Sequence, residues 1–109
     1  MNISFEEFKK IEIRIGKVTL CEKVEDADKL LKLEVDFGSE IGKKQILSAI
    51  AQSYEPEELI NRKFPFVVNL EPRKLRGLES QGMILAIDVP EKTILLEPTE
   101  DVPEGIEVV

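Results

Sequence analysis

Arg73, Lys74 and Arg76 lie within the stretch NLEPRKLRGLESQGMIL, which runs from Asn69 to Leu85. Three cations this close together suit a polyanion. Each can take a phosphate oxygen, and the counterions released supply affinity without any reading of bases. Pro72 and Gly77 restrict and turn the backbone around them, which presents the cations on a loop. Asn69 before the run, and Ser80 and Gln81 after it, add neutral donors and acceptors at the same place. Spacing alone leaves two readings open: a phosphate-contacting loop, or an ordinary solvated hairpin loop.

Other chemistries find little support. The chain has no His and one Cys, Cys21, so Cys/His zinc sites and Ser-His or Cys-His nucleophiles are excluded. Neither GxGxxG nor GxxxxGK[ST] occurs, so the usual phosphate-cradling loops are missing. The 22 acids are scattered, as on a solvated face, and nothing pairs them with a pocket. The expectation is a non-catalytic binding module without metal or cofactor.

The net charge of −7 argues at first against a polyanionic partner. It is unevenly held, however. From Asp88 onward seven acids (Asp88, Glu91, Glu97, Glu100, Asp101, Glu104, Glu107) face one base, Lys92, leaving residues 1–87 nearly neutral. Local potential, not net charge, governs a phosphate contact. A length of 109 residues with 42% hydrophobic and 34% charged residues fits one globular domain, 1–109. No apolar run reaches the ~18 residues of a membrane span, MNISFEEFKK is unlike a secretory leader, and a lone Cys fits a reducing compartment. These features predict a cytoplasmic protein with no membrane partner.

The elements that must position the loop read as mostly β. SFEEFKKI predicts a short helix, with Ser4 and Glu7 at capping-box spacing and Phe5, Phe8 and Ile11 on one face. IEIRIGKVTLCEKV predicts a long strand whose inward side switches across Gly16 and Lys17, from Ile11, Ile13 and Ile15 to Val18 and Leu20. After the polar turn EDADK, LLKLEVDFG alternates, with Leu31, Leu33, Val35 and Phe37 inward. After a turn at GSEIGKK, KQILSAIA is the third strand. EPEELINRK is a short helix or turn with Pro56 at its first position. FPFVVNL, QGMILAID and TILLEP follow as strands, and IEVV as a last edge strand. The sum is an all-β, five-stranded antiparallel Greek-key barrel of OB type, with short helices and extra C-terminal edge strands. Such a barrel closes through its bent first strand. Phe5, Phe8, Ile106 and Val108 exceed what one barrel of this length needs to cover itself, which predicts a homodimer.

KKIEIRIGKV, DADKLLKLEVDFG, KQILSAIA and YEPEELINRKFPFVVNLEPRKLRGLESQGMILA together resemble the tRNA-binding domain family, over about Phe8 to Val109. That family includes C-terminal domains and β subunits of methionyl-tRNA synthetases and stand-alone tRNA-binding proteins. The signature NLxPRKxxGxxSQGM is long and specific. The resemblance implies an OB-fold homodimer that binds the outer corner of tRNA by shape, as an accessory to a synthetase catalytic subunit. It implies an RNA-facing patch of Asn69, Arg73, Ser80, Gln81 and Met83, with Lys74 and Arg76 as flanking phosphate contacts. Lys29 and Arg14 match family positions near that face, and outward-alternating Lys32 could join them. Two alternatives stay open: a structural ion pair for Arg14, and a core position for Met83, which shares a strand face with Leu85 and Ile87. The family usually has Gly where this chain has Ala49. CsaA-type secretion chaperones share the fold and an ending like LLEPTEDVPEG but tend to lose SQGM, so a peptide-binding chaperone is the second reading.

Overall fold

The computed structural model describes all 109 residues. Its principal sheet grows from β1 (Ile13–Val24), a strand long enough to serve several partners. The second half of β1 pairs antiparallel with β2 (Ala27–Asp36), which pairs in turn with β3 (Lys43–Ser48). Its first half pairs with β4 (Lys63–Val67), whose far side carries β7 (Met83–Ile84). The order is therefore β3-β2-β1-β4-β7, with β10 (Glu107–Val108) also on β1.

Gly16 allows this double service. A Cβ there would collide with Val35 Cγ1 and lie 2.6 Å from Phe37 Cε1, so the strand crosses the core where no side chain fits. The expected change of face follows, from Ile15 to Val18. A second change was not expected. The β1–β2 register shifts between Val18 and Leu20, and Thr19 is the extra residue. Its Oγ1 lies 3.1 Å from the Glu34 carbonyl and 2.7 Å from Glu34 Oε1. The bulge turns Leu20 outward, correcting its inward assignment, and packs Cys21 against the core.

Alternation in β2 is as read. Leu31, Leu33, Val35 and Phe37 are all buried, among a core of Val18, Ile46, Ile50, Leu59, Phe64, Phe66, Val68 and Ile84. Phe37 meets Phe66 edge to face at 5.4 Å. The turn before β3 forms one short helix, α2 (Gly38–Ile41), and Pro56–Glu58 is a 3-10 turn.

The helix α1 (Phe5–Phe8) has its capping box, and its apolar face is uncovered as expected: Phe5 is 72% exposed. Two regions differ from expectation. The basic loop contains a hairpin, β5 (Arg73–Leu75) and β6 (Leu78–Ser80). The fifth core strand is split. After Leu85 donates to the Pro65 carbonyl, β8 (Ala86–Val89) leaves the sheet and pairs with β9 (Lys92–Leu95).

The ends of the principal sheet, β3 and β7, are not joined by a regular ladder. Hydrogen bonds from the residues just before β7 bridge them instead. Gln81 N donates to the Gln45 carbonyl, Gln45 N donates to Gln81 Oε1, each at 2.8 Å, and Leu47 N donates to Ser80 Oγ at 3.0 Å.

Candidate nucleic-acid interface

The hairpin at 73–80 is built around a two-residue turn. Arg76 and Gly77 both have positive φ, 51° and 79°, which matches the right-handed twist of the flanking strands. Arg73 is opposite Ser80, Lys74 opposite Glu79, and Leu75 opposite Leu78. Leu75 and Leu78 are half-buried and Ser80 is buried, so the hairpin leans on the body through this side. Arg73, Lys74 and Arg76 are exposed.

The residues that follow fix the hairpin to the seam. Ser80 Oγ accepts from Leu47 N and donates to the Gly82 carbonyl at 3.1 Å, while Gln45 Nε2 donates to the Glu79 carbonyl at 2.9 Å. At Gly82 a Cβ would lie 2.8 Å from the Val67 carbonyl oxygen and 3.2 Å from Ile46 Cδ1, so the chain passes there only without a side chain. Ser80, Gln81 and Gly82 thus have a joint structural task. They bridge β3 to the chain entering β7 and fix the root of the hairpin there.

The cations differ in how they are engaged. Arg14, Lys23, Lys32, Lys43, Arg62 and Lys63 make ion pairs. None of the three hairpin cations does. Arg62 chelates Glu97 at 2.8 and 3.0 Å, and Lys63 reaches Asp101 at 2.8 Å. These hydrogen bonds hold the Glu97 and Asp101 carboxyls below their usual range and raise Arg62 and Lys63. The acidic C-terminal segment thus neutralises Arg62 and Lys63 of the body, while the hairpin cations stay outside any ion pair.

The remaining expected residues are dispersed. Asn69 is exposed, but its amide is occupied: Oδ1 accepts from Glu12 N at 2.8 Å and Nδ2 donates to the Lys10 carbonyl at 2.6 Å. Ser80 is 6% exposed, and its hydroxyl bonds Leu47 N and the Gly82 carbonyl within the fold. Gln81 is half-buried in the seam. Met83 is 46% exposed while its neighbour Ile84 enters the core, so the surface alternative holds for Met83. Lys29 is exposed and shares a shallow cleft with Arg76 at the hairpin tip, beside Asp26 and Asp28. Arg14 realises its ion-pair alternative. It binds Glu12 at 2.7 Å and the Gly105 carbonyl at 2.8 Å, in a cleft formed with residues 37–41 and 103–106, which includes no hairpin residue. Lys32 is likewise paired, with Glu22 at 2.7 Å. Ala49 is exposed just after β3.

No cluster of three or more His, Cys, Asp or Glu residues is arranged to hold a metal. Burial pushes the Cys21 thiol up to about 11, so it is not a thiolate at neutral pH. No helix is long and apolar enough to cross a membrane.

Residues 13–107 match the family described as "Putative tRNA binding domain". The chain belongs to this family. It is 49% identical over 106 residues, 97% of its length, to methionine–tRNA ligase of Pyrococcus furiosus. It is 50% identical over 107 residues, again 97%, to that of Deinococcus radiodurans. The match occupies only 14% and 15% of those two proteins, so the chain corresponds to a small part of each. Among solved structures, a MetRS-related protein from Pyrococcus horikoshii superimposes with a TM-score of 0.93 at 40% identity, covering 100% of this chain and 99% of that one. The chaperone CsaA from Bacillus anthracis superimposes with a TM-score of 0.90 at 35% identity, with both chains fully covered.

Proposed function

We propose that this tRNA-binding domain is a non-catalytic, structure-specific module serving a methionyl-tRNA synthetase, as an appended domain or a separate subunit. It holds the outer corner of tRNA and raises the effective concentration of tRNA at a catalytic domain carried elsewhere. The observation that carries this reading is the hairpin at 73–80. Its three cations are exposed and free of ion pairs, on a hairpin anchored where hydrogen bonds bridge β3 to the residues before β7. Lys29 adds a cation beside Arg76, in a cleft that also holds Asp26 and Asp28, and exposed Met83 offers a soft apolar contact to a base or sugar. Gln81 and Ser80 serve the same surface from beneath, by positioning it.

The module works as a cytoplasmic homodimer. Phe5 and Phe8 on α1 and Ile106 and Val108 near β10 are exposed large apolar side chains, and an isologous contact is the common way to cover such surplus. Sedimentation at micromolar concentration should give about twice the monomer mass. A clean monomer would remove this part of the proposal.

If shape is read through the backbone, tRNAs for different amino acids bind alike and unstructured RNA of equal length binds much more weakly. Equal affinity for an unstructured strand would point to a general strand binder instead. The structural likeness to CsaA favours a second reading, capture of unfolded peptide. Salt separates the two: phosphate binding weakens steeply as salt rises, whereas apolar peptide capture does not.

A further inference from the structure

The side chain of Asn69 lies between two parts of the molecule. The chain leaves Asn69 through Leu70, Glu71 and Pro72 into the hairpin, while its amide grips the main chain just beyond α1, at Lys10 and Glu12. Val68 N adds a third tie, donating to the Glu12 carbonyl at 2.9 Å. The tail of α1 is thereby fixed at the root of the basic hairpin. It carries Lys9 and Lys10, both exposed and neither in an ion pair; Lys9 has only the face of Phe5, 5.5 Å away, for company. Lys44, also outside any ion pair, sends its ammonium to the Val68 carbonyl at 3.2 Å and adds positive charge at this root. Four chain positions separate Asn69 from Arg73, at most about 14 Å of fully extended chain. That is a span over which one folded RNA can touch both groups.

We propose that Lys9 and Lys10 form a second phosphate-contacting element of the RNA surface, and that Asn69 is the positioning residue that joins this element to the hairpin. The proposal rests on the hairpin being the RNA interface. The amide at Asn69 commits one acceptor site and one N–H to the main chain of this segment, and so holds two lysines in register with Arg73. Lys–phosphate contacts are point-charge contacts without demanding geometry, so a short helix tail is a sufficient platform once its main chain is fixed.

The test uses tRNA binding by the whole chain across a salt series, with Lys9→Ala/Lys10→Ala, Asn69→Ala and Arg73→Ala compared with the parent at equal oligomeric state. Losing two phosphate contacts should lower the slope of log K against log salt by about 1.4–1.8 and weaken binding by roughly tenfold or more at low salt. Asn69→Ala should also reduce the slope. Combined with the double lysine change it should add little, because both act through one element. A double lysine variant that binds with parental affinity and slope while Arg73→Ala weakens binding would overturn the proposal and leave the hairpin reading intact. An Asn69→Ala variant with a parental slope, or with a fully additive loss, would overturn its role as the joint. If Arg73→Ala binds normally and the lysine variant weakens, the hairpin reading falls and the α1 tail remains an RNA contact.

Discussion

Arg62 and Arg73 are the same residue type on one small surface, eleven positions apart, with opposite surroundings. Arg62 chelates Glu97, donates to the Glu58 carbonyl at 2.8 Å and stacks 5.4 Å from the centre of the Phe64 ring. Arg73 has none of these partners and stands exposed at the start of the hairpin. The segment containing Glu97, Asp101 and Glu104 straps the body by pairing with two of its cations, Arg62 and Lys63. An acidic protein can therefore present a localised basic site where its cations are left without acidic partners. A paired cation contributes to the fold, and a free one is available to a ligand.

The comparison can be broken by moving the hairpin without touching its charges. Gly82→Ala sets a Cβ against the Val67 carbonyl, a backbone atom that cannot swing away. We expect about 2–3 kcal/mol of destabilisation in denaturant unfolding, with weaker tRNA binding in the fraction that folds. Ser80→Ala leaves the Leu47 N–H without its partner at the seam and should cost about 1–2 kcal/mol. Affinity should fall with it, because the hairpin loses part of its anchor.

On the other side of the comparison, Arg62→Ala should cost about 1 kcal/mol of stability, since an ion pair this exposed is screened by solvent. It should barely alter tRNA affinity. Acid sharpens the same point. Glu97 and Asp101 have folded-state pKa values lowered chiefly by their bonds to Arg62 and Lys63. Their stabilisation is fully present above the ordinary carboxylate pKa, about 4, and is lost as pH falls through the lower folded values. The C-terminal strap should loosen below about pH 4, seen as rising amide exchange at Glu104–Val108, before the β2 core opens. Simultaneous loss of both would show that the strap is not a separable layer.

Much of this was legible in the sequence. The clean alternation of β2 and the glycine at the bend of β1 follow from side-chain period and from packing that excludes a Cβ. The bulge at Thr19 was not legible, because it depends on a hydroxyl meeting Glu34 across the sheet, and the phase of Leu20 depends on it. The hairpin looked like a loop because two three-residue strands give too short a pattern to register. Asn69, Ser80 and Gln81 look like ligand contacts in any reading of residue types. Polar side chains near a basic run fit that role equally well whether they face solvent or, as here, bond the main chain of a segment distant in sequence. Arg14 shows the same limit for charge, since its partner Glu12 is two positions away but Gly105 is ninety-one.

On the proposed function, pairing decides which cations bind RNA. This is tested most directly by measuring tRNA affinity over a salt series for Arg73→Ala and Arg62→Ala side by side, with thermal melts of each. The account predicts that Arg73→Ala loses about 1–3 kcal/mol of affinity, has a log K versus log salt slope shallower by about 0.7–0.9, and melts like the parent. Arg62→Ala should melt earlier and keep the parental slope. The reverse pattern, with a parental slope for folded Arg73→Ala and a shallower one for Arg62→Ala, would contradict it and move the interface to the face beneath the acidic strap.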